Sequence, residues 1–194
     1  MKAWDEAVFR WINGWPDGWT PLFYTFSQAT KWTWVRIGLL ALIVAMLVRG
    51  QRSRLAVSLS LLAVALANET TDVLKAWLQA VRPCVELPDV TLRVGLLSSY
   101  GTASAHSANM AAVAFVMTRY LGRWGYLWIG VAFLTGLSRV YVGVHYPYQV
   151  VFGWATGVFA AWVVTESYEV LMRIRKRRGP TGGETMESDA PEQA

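Results

Sequence analysis

The 194-residue sequence predicts an all-α integral membrane protein, a helical bundle of five to six transmembrane helices behind an N-terminal amphipathic segment. Three observations predict it. Hydrophobic residues make up 54% of the chain and charged residues only 16%, against roughly 25% charged in a soluble domain. Tryptophan occurs 11 times, and its ring, apolar with one polar edge, collects at membrane–water interfaces. Apolar stretches of membrane-spanning length, about 17 to 25 residues, recur along the chain with arginine clusters at alternate junctions.

Residues 1–31 form the amphipathic segment. Trp4, Val8, Trp11, Ile12 and Trp15 recur at helical spacing with Asp5, Glu6 and Arg10 between them, the pattern of a helix lying in the interface. Residues 19–30 alternatively make a short first span, hence five or six. Residues 32–178 form the membrane core, with spans over 32–48, 55–79, 104–121, 124–143 and 148–172. Residues 179–194 hold Gly, Pro, Ser and acids but almost nothing apolar, the composition of a disordered tail. The N-terminus lacks the charged region, apolar core and small-residue site of a cleaved signal peptide. Cys84 is the only cysteine, so an internal disulfide is excluded.

Arg49, Arg52 and Arg54 follow the first of the five spans, Arg119 and Arg123 join the third and fourth, and Arg173, Arg175, Lys176, Arg177 and Arg178 follow the last. All three clusters fall on one side. The positive-inside rule makes that side cytoplasmic, with the tail. Because each cluster abuts an apolar stretch, a nucleic-acid partner is not expected. The opposite turns, 75–100 and 143–148, face the outside and carry or adjoin the chain's two histidines, His106 and His145.

Four cations break this asymmetry on the outer side: Lys75, Arg82, Arg93 and Arg139. Ionisable groups near membrane depth are costly and mark function. Lys75 and Arg82 are two turns apart along one helical face, with the helix ending at Arg82 because Pro83 follows. Lys75 alternatively serves only in a plain i,i+3 ion pair with Asp72, and Arg82 alternatively snorkels. Arg139 and His145 would point apart in one helix, but Gly143 and Pro147 predict a break between them. His106 stands among Thr102, Ser104 and Ser107, N-cap residue types at the start of a span. Helix N-termini favour anions such as phosphate.

Lys75, six residues, then Arg82-Pro83 resembles the first signature of the type 2 phosphatidic acid phosphatase (PAP2) superfamily. Ala103-Ser104-Ala105-His106 resembles its second, usually Pro-Ser-Gly-His. Ser138-Arg139, five residues, His145, three residues and Gln149 resembles the third, which usually ends in Asp. The resemblance implies a PAP2-like bundle that hydrolyses a lipid phosphate or diphosphate at the outer face of a bacterial inner membrane, with undecaprenyl diphosphate the leading substrate. It implies His145 as the nucleophile, giving a phosphohistidine, and His106 as general acid and then base. Lys75, Arg82, Ser104 and Arg139 would hold the phosphate oxygens, and Gln149 would orient His145. No metal or other cofactor is implied; the partners are the lipid substrate and the bilayer. Phosphatidylglycerol phosphate, phosphatidic acid, lipid A and phosphotransfer to another lipid remain open, as does a non-catalytic lipid-binding protein on a decayed fold. That last reading draws on Gln149 and Ala105. Gln149 lies one helical turn from His145 and can fix its tautomer, but it brings no negative charge.

Overall fold

Every regular element among residues 2–97 and 99–177, the part of the chain the computed structural model describes, is helical. The tail expected over 179–194, and Arg178, lie outside the described residues. The helices are α1 (Lys2–Asn13), α2 (Thr20–Gln28), α3 (Thr33–Arg49), α4 (Gln51–Leu78), α5 (Pro83–Glu86), α6 (Ala105–Leu121), α7 (Tyr126–Tyr141) and α8 (Pro147–Arg177). Single 3-10 turns stand at Asp17–Trp19, Ala29–Lys31 and Gly122–Gly125. By length and apolarity, two stretches are fit to cross a membrane, Gln51–Glu86 and Pro147–Arg177. The pair Asp17–Lys31 and Thr33–Arg49, bent by 71°, passes as one broken span; α6 and α7 are shorter, at 17 and 16 residues.

The helix carrying Lys75 departs from expectation. It ends at Leu78, where Gln79 turns into the left-handed region at φ 45° and donates its N–H to Lys75 O. Lys75 and Arg82 therefore do not share a helical face. Arg82 is extended, at φ −87° and ψ 152°, because the Pro83 ring crowds out the helical conformation of the residue before it.

Helix α6 is central, packed between α4, α7 and α8. Its contact with α4 and α8 is built from small side chains: Ala63 and Ala67, Ala108 and Ala112, Ala160 and Ala161. Gly153 and Gly157 bring α8 to backbone distance. A methyl group on Gly153 would sit 2.5 Å from Ser104 O, and one on Gly157 2.9 Å from Ala108 Cα. Small residues four apart permit such close approach between membrane helices.

A second cluster seats the N-terminal segment on the loop end of the bundle. Phe9, Ile12 and Phe23 are buried with Tyr141, Val142, Val144 and Tyr146, and the Phe23 and Tyr141 rings are 4.7 Å apart. The predicted apolar stripe of α1 is thus split. Val8 and Trp15 pack partly and Ile12 is buried, but Trp4 and Trp11 are 80% and 67% exposed. Phe9, outside the stripe, is the deepest side chain of the helix.

Candidate active site

The turn after α7 creates the centre of the site. Helix α7 ends at Tyr141, and Gly143 takes φ +86°, a conformation that costs a residue with Cβ. Val144 and His145 then both donate their backbone N–H to Arg139 O, each at 3.2 Å. Pro147 starts α8, where a missing N–H costs nothing. This is the break predicted between Arg139 and His145, and it folds His145 back beside the arginine.

Gln149, fully buried, sits behind His145. Its Oε1 lies 3.0 Å from His145 Nδ1 and accepts the Tyr146 N–H at 3.2 Å. Its Nε2 donates to Val81 O at 2.9 Å and to the Tyr148 hydroxyl at 3.1 Å. The amide orientation follows from these partners, since only its nitrogen can donate to Val81 O. Oε1 therefore accepts, Nδ1 carries the histidine proton, and the lone pair stands on Nε2. Arg82 Nη1 donates toward that lone pair at 2.7 Å.

Arg82 is held on every edge. Its Nε donates to Ser99 O, Nη1 also to Val144 O, and Nη2 to Ser99 Oγ and Tyr100 O, all at 2.6–3.1 Å. Gly101 makes this possible. A methyl group there would stand 2.8 Å from both Arg82 Cγ and Gln149 Oε1.

Arg139 is 3% exposed. Its Nη1 donates to Ser27 Oγ at 2.5 Å and to Ser27 O at 3.4 Å, and the Gln28 amide braces the same hydroxyl at 3.0 Å. Arg139 Nε is buried with no protein partner. A buried, unpaired donor on a cation is costly and is suited to an anion's oxygen.

These residues line a cavity of about 380 Å³ with Lys75, His106, Ala105, Gln28, Lys31 and residues 94–97. Five of the sequence-predicted site residues thus meet there: Lys75, Arg82, His106, Arg139 and His145. Lys75 also pairs with Asp72 at 2.8 Å, so ion pair and site position hold together. Gln149 lies behind the cavity wall. Ser104 is absent from the lining; it is fully buried and its Oγ caps α6 by accepting the Ser107 N–H at 3.4 Å. Of the three cap candidates in the sequence, Thr102, Ser104 and Ser107, the helix uses Ser104, and this turns the hydroxyl toward the helix instead of the cavity.

Arg93, expected among the functional cations, is instead a clamp. It donates to Asn13 O, Tyr141 O and Trp15 O, pairs with Asp17 at 2.9 Å and stacks 4.1 Å above the Tyr141 ring. Asn13 spans the same joint, bonding Thr91 and Tyr141. The clamp anchors the chain immediately before residues 94–97, which line the cavity.

Sequence reasoning missed Ser27, Gln28, Lys31 and Gly101. Lys31 carried a signal: it stands at the start of the first predicted span, at the end opposite the arginine clusters. His145, in the turn between α7 and α8, has its pKa held well below the ordinary value of 6.5, first by burial and then by the charges of Arg82 and Arg139. The depression favours the neutral imidazole, with its Nε2 lone pair directed at Arg82.

The PAP2 superfamily family model matches residues 54–173. Among curated proteins, the chain is 29% identical over 125 residues to the bacitracin transport permease protein BcrC of Bacillus licheniformis, covering 64% of this chain and 62% of that one. It is 34% identical over 116 residues to phosphatidylglycerophosphatase B of Bacillus subtilis (strain 168), covering 54% of each. The chain thus spans less than two thirds of the length of these relatives. Two crystal structures share the fold. Aquifex aeolicus LpxE matches with a TM-score of 0.69 at 25% identity, over 82% of this chain and 93% of that one. The first transmembrane PAP2 type phosphatidylglycerolphosphate phosphatase from Bacillus subtilis matches with a TM-score of 0.68 at 24% identity, over 90% and 89%.

Proposed function

Because the chain belongs to the PAP2 superfamily, we propose that it hydrolyses a lipid phosphate or diphosphate through a phosphohistidine formed on His145. The observation that carries this reading is the orientation of His145: Nδ1–H on Gln149 Oε1, with Nε2 beside Arg82 at a cavity that also holds Arg139, Lys75 and His106. Nε2 attacks phosphorus in line and the P–O bond to the lipid breaks. His106 gives its proton to the leaving oxygen. Water then attacks the phosphohistidine, His106 takes the proton back, and inorganic phosphate leaves. Arg82, Arg139 and Lys75 stabilise the charge developing on the non-bridging oxygens. The intact Gln149–His145 bond argues against a decayed, non-catalytic site, because Gln149 performs the tautomer-fixing part of the work of the family's usual Asp.

The chain crosses the membrane five times in this reading, through α3, α4, α6, α7 and α8. Helices α1 and α2 lie at the same end as both histidines. The arginine clusters at 49–54, 119–123 and 173–177 terminate helices at the other end, where Arg52 and Arg119 share a cavity. The positive-inside rule makes that end cytoplasmic and the site external, at the inner membrane of a bacterium. At headgroup depth the substrate is a lipid. Undecaprenyl diphosphate is our leading candidate, ahead of phosphatidylglycerol phosphate, phosphatidic acid and lipid A.

The test is phosphate release in detergent from a panel of lipid phosphates and diphosphates, with wild type beside His145→Ala and Arg139→Ala. Wild-type release that both substitutions abolish is expected; release surviving His145→Ala refutes the nucleophile. Cys84, half-buried beside the site, should react with an impermeant thiol reagent in spheroplasts with intact membranes. Reaction only after lysis refutes the orientation.

A further inference from the structure

Resting on that hydrolase reading, we propose that Lys31, contributed by the N-terminal segment, is a specificity-determining residue that favours headgroups carrying a second phosphate. Lys31 lies outside residues 54–173, which match the family, yet it lines the same cavity as His106 and His145.

Burial grades the cavity by depth. Arg82, Arg139 and His145 are 5%, 3% and 3% exposed and form its floor. Lys75 is intermediate, with 19% of its side chain exposed. Lys31 is exposed and stands at the mouth. Just beyond it, the Trp32 and Trp34 rings stack at 5.3 Å, and Trp34 is 68% exposed. Exposed tryptophans at the start of a span mark the membrane–water interface, so Lys31 sits where a lipid headgroup enters. Among the described residues no carboxylate pairs with Lys31, whereas Lys75 shares its charge with Asp72.

The nucleophile at the floor requires the reacting phosphorus to be at the floor. In a diphosphate the second phosphate then points to the mouth, and it is the leaving group. As His145 Nε2 bonds to the terminal phosphorus, the bond from that phosphorus to the bridging oxygen breaks. The electron pair stays on that oxygen, which takes the proton from His106 and becomes part of the lipid monophosphate, itself an anion beside the unpaired Lys31 ammonium. A monoester places a carbon-bound oxygen at the same point. It departs as a neutral alcohol with the proton from His106 and presents Lys31 with no anion.

The experiment compares wild type, Lys31→Ala and Lys31→Arg in a neutral detergent. It measures kcat/KM for farnesyl diphosphate and for dioctanoyl phosphatidic acid. The diphosphate-to-monoester ratio should fall about tenfold in Lys31→Ala, the scale of one charge-assisted hydrogen bond, and Lys31→Arg should restore most of it. An unchanged ratio overturns the proposal, whether both rates fall together or neither moves. An effect confined to anionic-lipid vesicles also overturns it, because Lys31 would then be meeting the bilayer. A binding arm separates this inference from the hydrolase reading: pyrophosphate and inorganic phosphate are titrated into the same variants by calorimetry. If wild type cleaves neither lipid, the hydrolase reading fails. A pyrophosphate preference lost in Lys31→Ala still supports the role of Lys31, and an unchanged preference overturns it.

Discussion

Replacing Gly101 with alanine adds one methyl group at the point where the two residues that orient His145 converge. The new Cβ would lie 2.8 Å from Arg82 Cγ, 2.8 Å from Gln149 Oε1 and 2.9 Å from Gln149 Nε2. Gly101 is not among the residues with positive φ, so the backbone accepts alanine and the effect is steric. Neither neighbour yields easily. Arg82 is held by five hydrogen bonds and Gln149 by four. Relief requires a shift of several tenths of an ångström in one of these side chains. Overpacking of this kind costs about 1–3 kcal/mol in stability. A catalytic loss of similar size accompanies it: displacing an active-site group by about 1 Å costs on the order of 100-fold in rate, so several tenths of an ångström cost about tenfold. The assay pairs kcat/KM on the best lipid phosphate with the thermal midpoint in the same detergent. Gly101→Ala should lose about tenfold in kcat/KM while the protein still unfolds cooperatively, within about 10 °C of wild type. Activity within twofold of wild type would refute the idea that Arg82 and Gln149 hold His145 in a working position.

Three further outcomes are expected. Ser27→Ala removes the hydroxyl that fixes Arg139 and should lower kcat/KM roughly tenfold, the value of about one hydrogen bond to a charged group, with Ser27→Thr recovering part; equal activity in all three would leave Ser27 without a positioning role. Arg93→Met breaks a half-buried clamp with several carbonyl partners and should destabilise the protein by about 2–4 kcal/mol, whereas Asp17→Asn, whose side chain is 87% exposed, should cost under about 1 kcal/mol; thermal melts of the two variants compare them. The pKa of His145 is depressed in the folded chain, so below about pH 6.5 the unfolded chain binds a proton that the folded chain does not. The histidine's contribution is complete above that pH and is lost as pH falls toward the folded value; melts at stepped pH should show the decline and a shallower one in His145→Gln.

Helix positions, the charge asymmetry and the two histidines were legible because each is written locally. An apolar run, a cluster of arginines or a proline after Gly143 acts on its own neighbourhood in the chain. The break that returns His145 to Arg139 is of this kind, and so is the Ser104 cap, although the cap also explains why that hydroxyl leaves the cavity. The expected helical face shared by Lys75 and Arg82 failed for a local reason too, the left-handed turn at Gln79, which no strong sequence signal marked.

What the sequence determined by itself was an apolar helical chain in which Lys75, Arg82, His106, Arg139, His145 and Gln149 follow the order of its family's three signatures. Only the tertiary structure decided which residues wall the site. Ser27 meets Arg139 across 112 positions, Arg93 meets Asp17 across 76, and Gln149 meets Val81 across 68. Such pairings arise when packing closes space between distant helices, and the burial that drives packing is non-directional. A cation therefore reads the same in the sequence whether it clamps a loop, as Arg93 does, or stands at the mouth of the cavity, as Lys31 does.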